Sequence, residues 1–107
     1  MNIYNLNDMI KGWFVGNFEP AVLKTEQFEV AIKKYKANER EKAHYHKVAK
    51  EITVIVSGKV VMNGVEYSEN DIILLDENDA TDFYAVTDVI TVVVKMPSAI
   101  NDKYEVK

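Results

Sequence analysis

The only two imidazoles in the chain, His44 and His46, stand two positions apart, and Glu51 follows five positions after the second. Residues two apart on an extended strand share a face, so both imidazoles project together and Tyr45 projects the other way. Imidazole and carboxylate are the side chains that hold divalent metals and that move protons near neutral pH. Two histidines and one carboxylate on a β scaffold are the donor set of a 2-His-1-carboxylate centre with open positions. Iron, zinc, manganese, nickel and copper all suit such donors. A metal held there would act as a Lewis acid, activate water or bind dioxygen beside a substrate. A second reading needs no metal: His44 or His46 beside Glu51 is a general base tuned near neutral pH. A third reading is a non-catalytic pocket for a small metabolite. The plainest reading is of pocket histidines hydrogen-bonded to Glu51 and water.

The elements that must position these groups read as β almost throughout. Phe28, Val30 and Ile32 alternate with Glu29, Ala31 and Lys33 across Phe28–Lys36. Ile52–Val56 is a β-branched run ending at the turn pair Ser57-Gly58. Val60–Met62 leads into Asn63-Gly64 and Val65–Tyr67 leaves it, a strong short hairpin signal because the turn needs two positive φ angles. Ile72–Leu75, Thr81–Val86 and Val89–Lys95 read as further strands, and Pro97 closes the last. A short helix is expected at Leu6–Lys11. Alternation from Glu51 puts Thr53 and Ile55 on the ligand face. Many short strands, with turn signals roughly every 8–12 residues, indicate a sandwich, barrel or jelly roll.

Length and composition bound the rest. The 107 residues suit one domain, 48% hydrophobic and 28% charged. With no cysteine, disulfides, thiolate metal sites and cysteine nucleophiles are excluded. A formal net charge of −4 argues against nucleic acid as a partner. No signal-peptide pattern and no apolar run of about 20 residues is present, so no membrane partner and a cytoplasmic location are expected. The charged residues Lys33, Lys34, Lys36, Glu39, Arg40, Glu41 and Lys42 read as a solvated edge or loop. Lys47 and Lys50 suit a polar loop at a barrel mouth. The turn Asp76-Glu77-Asn78-Asp79 lacks the glycine and distal glutamate of a calcium loop. Trp13, Phe14 and Phe18 are expected to cover one mouth of the barrel or enter the core, or else to form a pocket lid or dimer contact. Asn101–Lys107 is a polar tail expected to fray or to cross onto a partner.

The stretch His44-Tyr45-His46, four residues, Glu51, six residues, Gly58 resembles the first signature of the cupin superfamily. The glycine usually found six residues before the first histidine is Asn38 here. A second signature, glycine, proline, glycine and histidine, aligns with Asn70, Asp76, Asn78 and Thr81, so none of its own residues is kept. The resemblance covers roughly residues 26 to 97. It implies an all-β double-stranded β-helix, the cupin jelly-roll barrel, as one domain over residues 1–107. An N-terminal arm would span about 1–25, the barrel about 26–97 and a tail 98–107. Cupins with a full set hold a divalent metal with three histidines and one glutamate. The resemblance therefore implies His44, His46 and Glu51 as metal ligands, and as the catalytic residues of an enzymatic member. Thr81 takes the place of the fourth ligand, with Asp82 one position off register, and alternation from Thr81 then adds Phe83 to the ligand face. Small cupins of this kind also include metal-free isomerases and epimerases of nucleotide-linked sugars, with histidine as base and tyrosine as acid, which implies Tyr35 or Tyr84 as the acid here. The expectation is thus a small cupin whose pocket of His44, His46 and Glu51, beside Thr53, Ile55, Thr81 and Phe83, binds a divalent iron, zinc, manganese or nickel ion. It would act on or bind a small metabolite. The alternatives are the metal-free isomerase and the binding module. A homodimer is expected from the resemblance and from the cost of exposed edge strands and aromatics.

Overall fold

The computed structural model describes all 107 residues. Eleven strands follow a single turn of 3-10 helix at Leu6–Asp8. They are β1 Trp13–Gly16, β2 Leu23–Lys24, β3 Glu29–Tyr35, β4 Arg40–Tyr45, β5 Lys50–Ser57 and β6 Lys59–Met62. The rest are β7 Val65–Ser68, β8 Ile72–Leu75, β9 Thr81–Ala85, β10 Val89–Met96 and β11 Tyr104–Glu105. A six-stranded sheet runs β2-β1-β3-β10-β5-β8, and a five-stranded sheet runs β11-β4-β9-β6-β7. The two sheets form the double-stranded β-helix.

The expected strands appear within two residues of their predicted ends, and Asn63 and Gly64 take the positive φ angles of the hairpin turn, 50° and 77°. The helix expected at Leu6–Lys11 is only the 3-10 turn. Asn5 caps it through the Asn7 N–H, and positive φ at Lys11 and Gly12 turns the chain away. The three asparagines aligned with signature glycines, Asn38, Asn70 and Asn78, all have left-handed backbone, with φ of 75°, 76° and 70°. Asparagine tolerates that region through local side-chain hydrogen bonding, so the turns survive the loss of glycine. Gly58 has no such freedom to vary. Its φ is +93°, and a Cβ there would stand 2.2 Å from the Asp88 carbonyl oxygen.

One end of the barrel is filled. Ile55, Val60, Met62, Phe83, Ala85 and Val89 are buried together, with Tyr35, Tyr67 and Ile73 against them. Ile55, expected on the ligand face, does face inward but is sealed in this core and does not line the cavity. Phe83 and Met62 belong to both core and cavity and form its floor. The other end stays open. No helix is long and apolar enough to cross a membrane.

Candidate functional site

The open end encloses a cavity of about 790 Å³ that contains His44, His46, Glu51, Thr53, Thr81 and Phe83. Strand register explains the convergence. On the inner face of the six-stranded sheet, Glu29, Lys95 and Glu51 lie side by side on β3, β10 and β5. The row above it pairs Ala31, Val93 and Thr53, and the next pairs Lys33, Thr91 and Ile55. Cross-strand neighbours of opposite charge stabilise a sheet, and Lys95 Nζ lies 3.0 Å from Glu29 Oε1. The opposite wall comes from β4 and β9, where His44 pairs with Thr81 and Glu41 with Phe83.

Between Glu41 and His44 the register shifts, a β-bulge. Strict alternation from His44 would send Glu41 outward. The bulge inserts one residue and turns Glu41 to the same side as His44. Glu41 Oε1 accepts from the Tyr35 hydroxyl at 2.9 Å and from Lys33 Nζ at 3.3 Å. The charged stretch is therefore not uniformly solvated: Lys33 and Glu41 face inward, while Lys34, Lys36, Glu39, Arg40 and Lys42 stay exposed. Sequence reasoning missed Glu41 because a bulge leaves no mark in composition. Burial, together with the charge of Glu41, pushes the Tyr35 phenol well above its ordinary value, so it stays a proton donor. Tyr84 lies off the cavity and donates to Asn38 Oδ1 at 2.6 Å. Of the two tyrosines considered as acids, Tyr35 is the one at the site.

The two imidazoles differ. His44 Nδ1 lies 3.1 Å from the Lys42 carbonyl oxygen, and His46 Nδ1 lies against the Asp102 carbonyl oxygen. A carbonyl only accepts, so each Nδ1 carries a hydrogen and each Nε2 is the variable nitrogen. The rings stand 5.4 Å apart, edge to face. His46 Nε2 is 3.5 Å from Glu51 Oε1, with both side chains buried. The Glu51 hydrogen bond raises the His46 pKa against the opposing effect of burial, and the Asp102 carbonyl raises it further. Burial pushes the Glu51 carboxyl up, but His46, Lys95 and the Thr53 hydroxyl at 3.2 Å outweigh it, and the net shift is downward. His44 moves the other way, its pKa lowered chiefly by burial. One imidazole favours the charged form and its neighbour the neutral form.

The C-terminal segment holds this arrangement, and it was not legible as part of the site. The polar tail, expected to fray or to cross onto a partner, pairs β11 with β4 of its own chain and stacks Tyr104 on Tyr45 at 5.5 Å. Asp102 is buried. Its carboxylate accepts backbone N–H bonds from Lys47, Val48 and Ala49 at 2.9–3.1 Å, fixing the loop between His46 and Glu51. Of the N-terminal aromatics, Trp13 and Phe18 line the cavity and pack edge to face, 6.5 Å apart. Lys33 and Lys95 lie 5.7 and 5.0 Å from the Trp13 ring.

The donor types suit a divalent metal, but no three histidine, aspartate or glutamate side chains converge as a ready ligand cluster. Thr81, at the fourth position, donates its hydroxyl to the Asp82 carbonyl oxygen at 2.8 Å. The Asp82 carboxylate is taken by the Asn63 N–H. Neither completes the set.

No family model matches the chain, and no curated protein does. Solved structures do match. A Klebsiella pneumoniae protein with a double-stranded β-helix domain aligns with a TM-score of 0.71 at 16% identity, over 96% of this chain and 89% of that one. KdgF from a Halomonas species aligns at 0.64 and 17% identity, over 72% and 74%. A sugar phosphate isomerase of the cupin superfamily from Silicibacter pomeroyi aligns at 0.59 and 20%, over 65% of this chain and 50% of that one.

Proposed function

We propose that this chain, a cupin by fold, binds a small hydroxylated metabolite in the open end of its barrel and moves a proton on it. The observation that carries the reading is the pair of imidazoles 5.4 Å apart whose environments drive their pKa values in opposite directions. Groups pushed apart in this way mark an acid and a base. Neutral His44 is the base through Nε2, and His46, charged beside Glu51, is the acid. The chemistry this supports is proton abstraction beside a carbonyl. His44 takes the proton from carbon and His46 gives one to the carbonyl oxygen, leaving an enediol; His44 then returns its proton to the former carbonyl carbon while the neighbouring hydroxyl gives its proton to His46 and becomes the new carbonyl. Trp13 and Phe83 offer apolar surface to a sugar-sized ring, and Lys33, Glu41 and Tyr35 supply hydrogen bonds around it. The sugar phosphate isomerase of like fold is consistent with this substrate class.

The test is solvent deuterium exchange into candidate aldoses, ketoses and their phosphates, followed by NMR with chelator present. Exchange at the carbon beside the carbonyl, lost in His44→Ala and in His46→Gln, is the expected result. Binding is read separately, since Trp13 is the single tryptophan and lines the cavity. A ligand that changes Trp13 fluorescence without exchange in any substrate would reduce the site to a binding module.

A second reading keeps the metal. Both Nδ1 atoms are held by backbone carbonyls, an arrangement that orients histidine ligands and leaves both Nε2 atoms toward the cavity with Glu51. His44, His46 and Glu51 would be the ligands of a divalent ion, and the His46–Glu51 contact would have to open to admit it. Elemental analysis of untagged protein decides between them. About one transition metal per chain, lost in His46→Ala, would favour the metal centre.

A further inference from the structure

The charged side chains of the cavity wall are closed into pairs. Lys33 Nζ lies 3.3 Å from Glu41 Oε1, Lys95 Nζ lies 3.0 Å from Glu29 Oε1, and His46 lies against Glu51, with all six side chains mostly buried. Ser98 donates to the second oxygen of Glu29 at 2.9 Å, and Thr53 donates to that of Glu51 at 3.2 Å. Glu41 differs: Tyr35 and Lys33 share its Oε1, and its Oε2 has no protein partner. Burial pushes the Glu41 carboxyl up, but Lys33 and the Tyr35 hydroxyl outweigh it, so Oε2 is an ionised acceptor at neutral pH. The cations around the cavity that lack a carboxylate partner, Lys11, Arg40, Lys42 and Lys103, are all exposed. Around the cavity as a whole, six lysine and arginine side chains meet seven aspartates and glutamates, so it offers no excess of positive charge.

We propose that the cavity is selective for an uncharged sugar over its phosphate or acid, and that Glu29 and Glu41 set this selectivity. The inference rests on the reading of the cavity as a metabolite site and names its ligand class. A phosphate or carboxylate is held by cations free to pair with it, or by the N–H groups at a helix N-terminus. The only helical element here is a three-residue 3-10 turn, and the wall lysines are already paired. An anion reaching Lys95 must displace Glu29, leaving a buried carboxylate unpaired, or stand against it as a like charge. The same holds at Lys33, where the open Oε2 of Glu41 adds to the repulsion. A hydroxyl meets neither cost, because it both donates and accepts. Neighbouring hydroxyls of a sugar fit a lysine–glutamate pair, one donating to the carboxylate and the next accepting from the ammonium. Glu41 Oε2 takes a proton donor, which a carboxylate or a phosphate dianion cannot supply. Lys33 and Lys95 lie 5.7 and 5.0 Å from the one indole of Trp13, so a sugar on that ring lies beside both pairs.

Inorganic phosphate is titrated at fixed ionic strength and neutral pH into the wild type and into Glu29→Gln/Glu41→Gln, which frees both lysines, and Trp13 fluorescence is read. The wild type should show no saturable change up to about 50 mM, and the folded double variant should saturate within that range. Saturation of the wild type in that range overturns the proposal, and so does a folded variant that does not respond. Should the double variant fail to fold by circular dichroism, Glu41→Gln alone replaces it with the same two outcomes. Aldoses and ketoses are then titrated into the wild type beside their own phosphates. Sugars that change Trp13 fluorescence while their phosphates do not uphold the selectivity, and a phosphate that binds more tightly than its parent sugar overturns it. The proton-transfer reading fails separately, as a sugar that binds without deuterium exchange, and that result leaves the selectivity upheld.

Discussion

Replacing Asp102 by alanine should cost this small domain about 3 kcal/mol, although the residue lies in a short polar tail. The carboxylate accepts from three consecutive backbone N–H groups. The Ala49 N–H belongs to a residue only 3% exposed, so water cannot replace the lost acceptor. An orphaned buried donor costs about 1–3 kcal/mol, and the two outer N–H groups, on exposed residues, lose about 0.5–1 kcal/mol each after rehydration. For a domain of this size that total lowers Tm by roughly 12–20 °C. Asp102→Asn keeps one acceptor oxygen and should lose about half as much. The pH dependence identifies the cause. Burial pushes the Asp102 carboxyl up, but the N–H bonds from Ala49, Lys47 and Val48 hold it below its ordinary 3.8. Because the folded pKa is depressed, its stabilisation is fully present above 3.8 and is lost as pH falls through the folded value. Urea unfolding of both chains at pH 7 and at stepwise lower pH, to below the folded pKa, measures the gap in each state. Hydrogen exchange at Ala49 locates the effect, and the His46 ring should lose its fixed tautomer by NMR. A wild-type-to-alanine gap under about 0.5 kcal/mol at pH 7 would refute the reasoning. A gap unchanged well below the folded pKa would assign the loss to packing instead of charge.

Other perturbations follow from the same geometry. In metal-free protein the His46–Glu51 pair should stabilise most between about pH 4.5 and 6.5. Glu51, depressed, contributes above its ordinary value and fades as pH falls; His46, raised, contributes below its ordinary value and fades as pH rises through its folded pKa. His46→Gln should flatten that window and destabilise by about 3 kcal/mol by leaving Glu51 buried without its partner, as read by thermal melts across pH. Thr91 Oγ1 is buried without a hydrogen-bond partner, so Thr91→Val should raise stability by about 1 kcal/mol in chemical denaturation, and a value lower than wild type would mean the hydroxyl is satisfied in solution. Gly58→Ala should cost more than about 3 kcal/mol or prevent folding, since its Cβ would meet the Asp88 carbonyl at a left-handed φ; a soluble variant melting near wild type would contradict the turn geometry.

How much was legible depended on how local the controlling physics is. Period-two alternation, β-branched runs and the Asn63-Gly64 turn are properties of a few consecutive residues, and they located the expected strands of the barrel. The motif of His44, His46 and Glu51 was readable for the same reason, since two residues two apart on a strand share a face by geometry alone. Thr53 followed by alternation from Glu51, and Phe83 by alternation from Thr81, itself placed by the resemblance; all three line the cavity. What alternation could not supply was anything set by a partner far along the chain. Glu41 enters the site because a bulge against β9 changes its face, and Ile55 leaves the lining because the floor of Phe83 and Met62 lies over it. The strand β4 hid within a run of charges whose apolar content is low, and it forms because β9 and β11 offer it partners on both edges. Asp102 lies 56 residues from His46, and no pattern in the sequence connects a polar tail to the carbonyl that orients that ring. The sequence by itself determined the barrel and the chemical identity of its polar end. Only tertiary structure decided in which direction each imidazole's pKa is displaced, because that depends on burial and on acceptors brought together by folding.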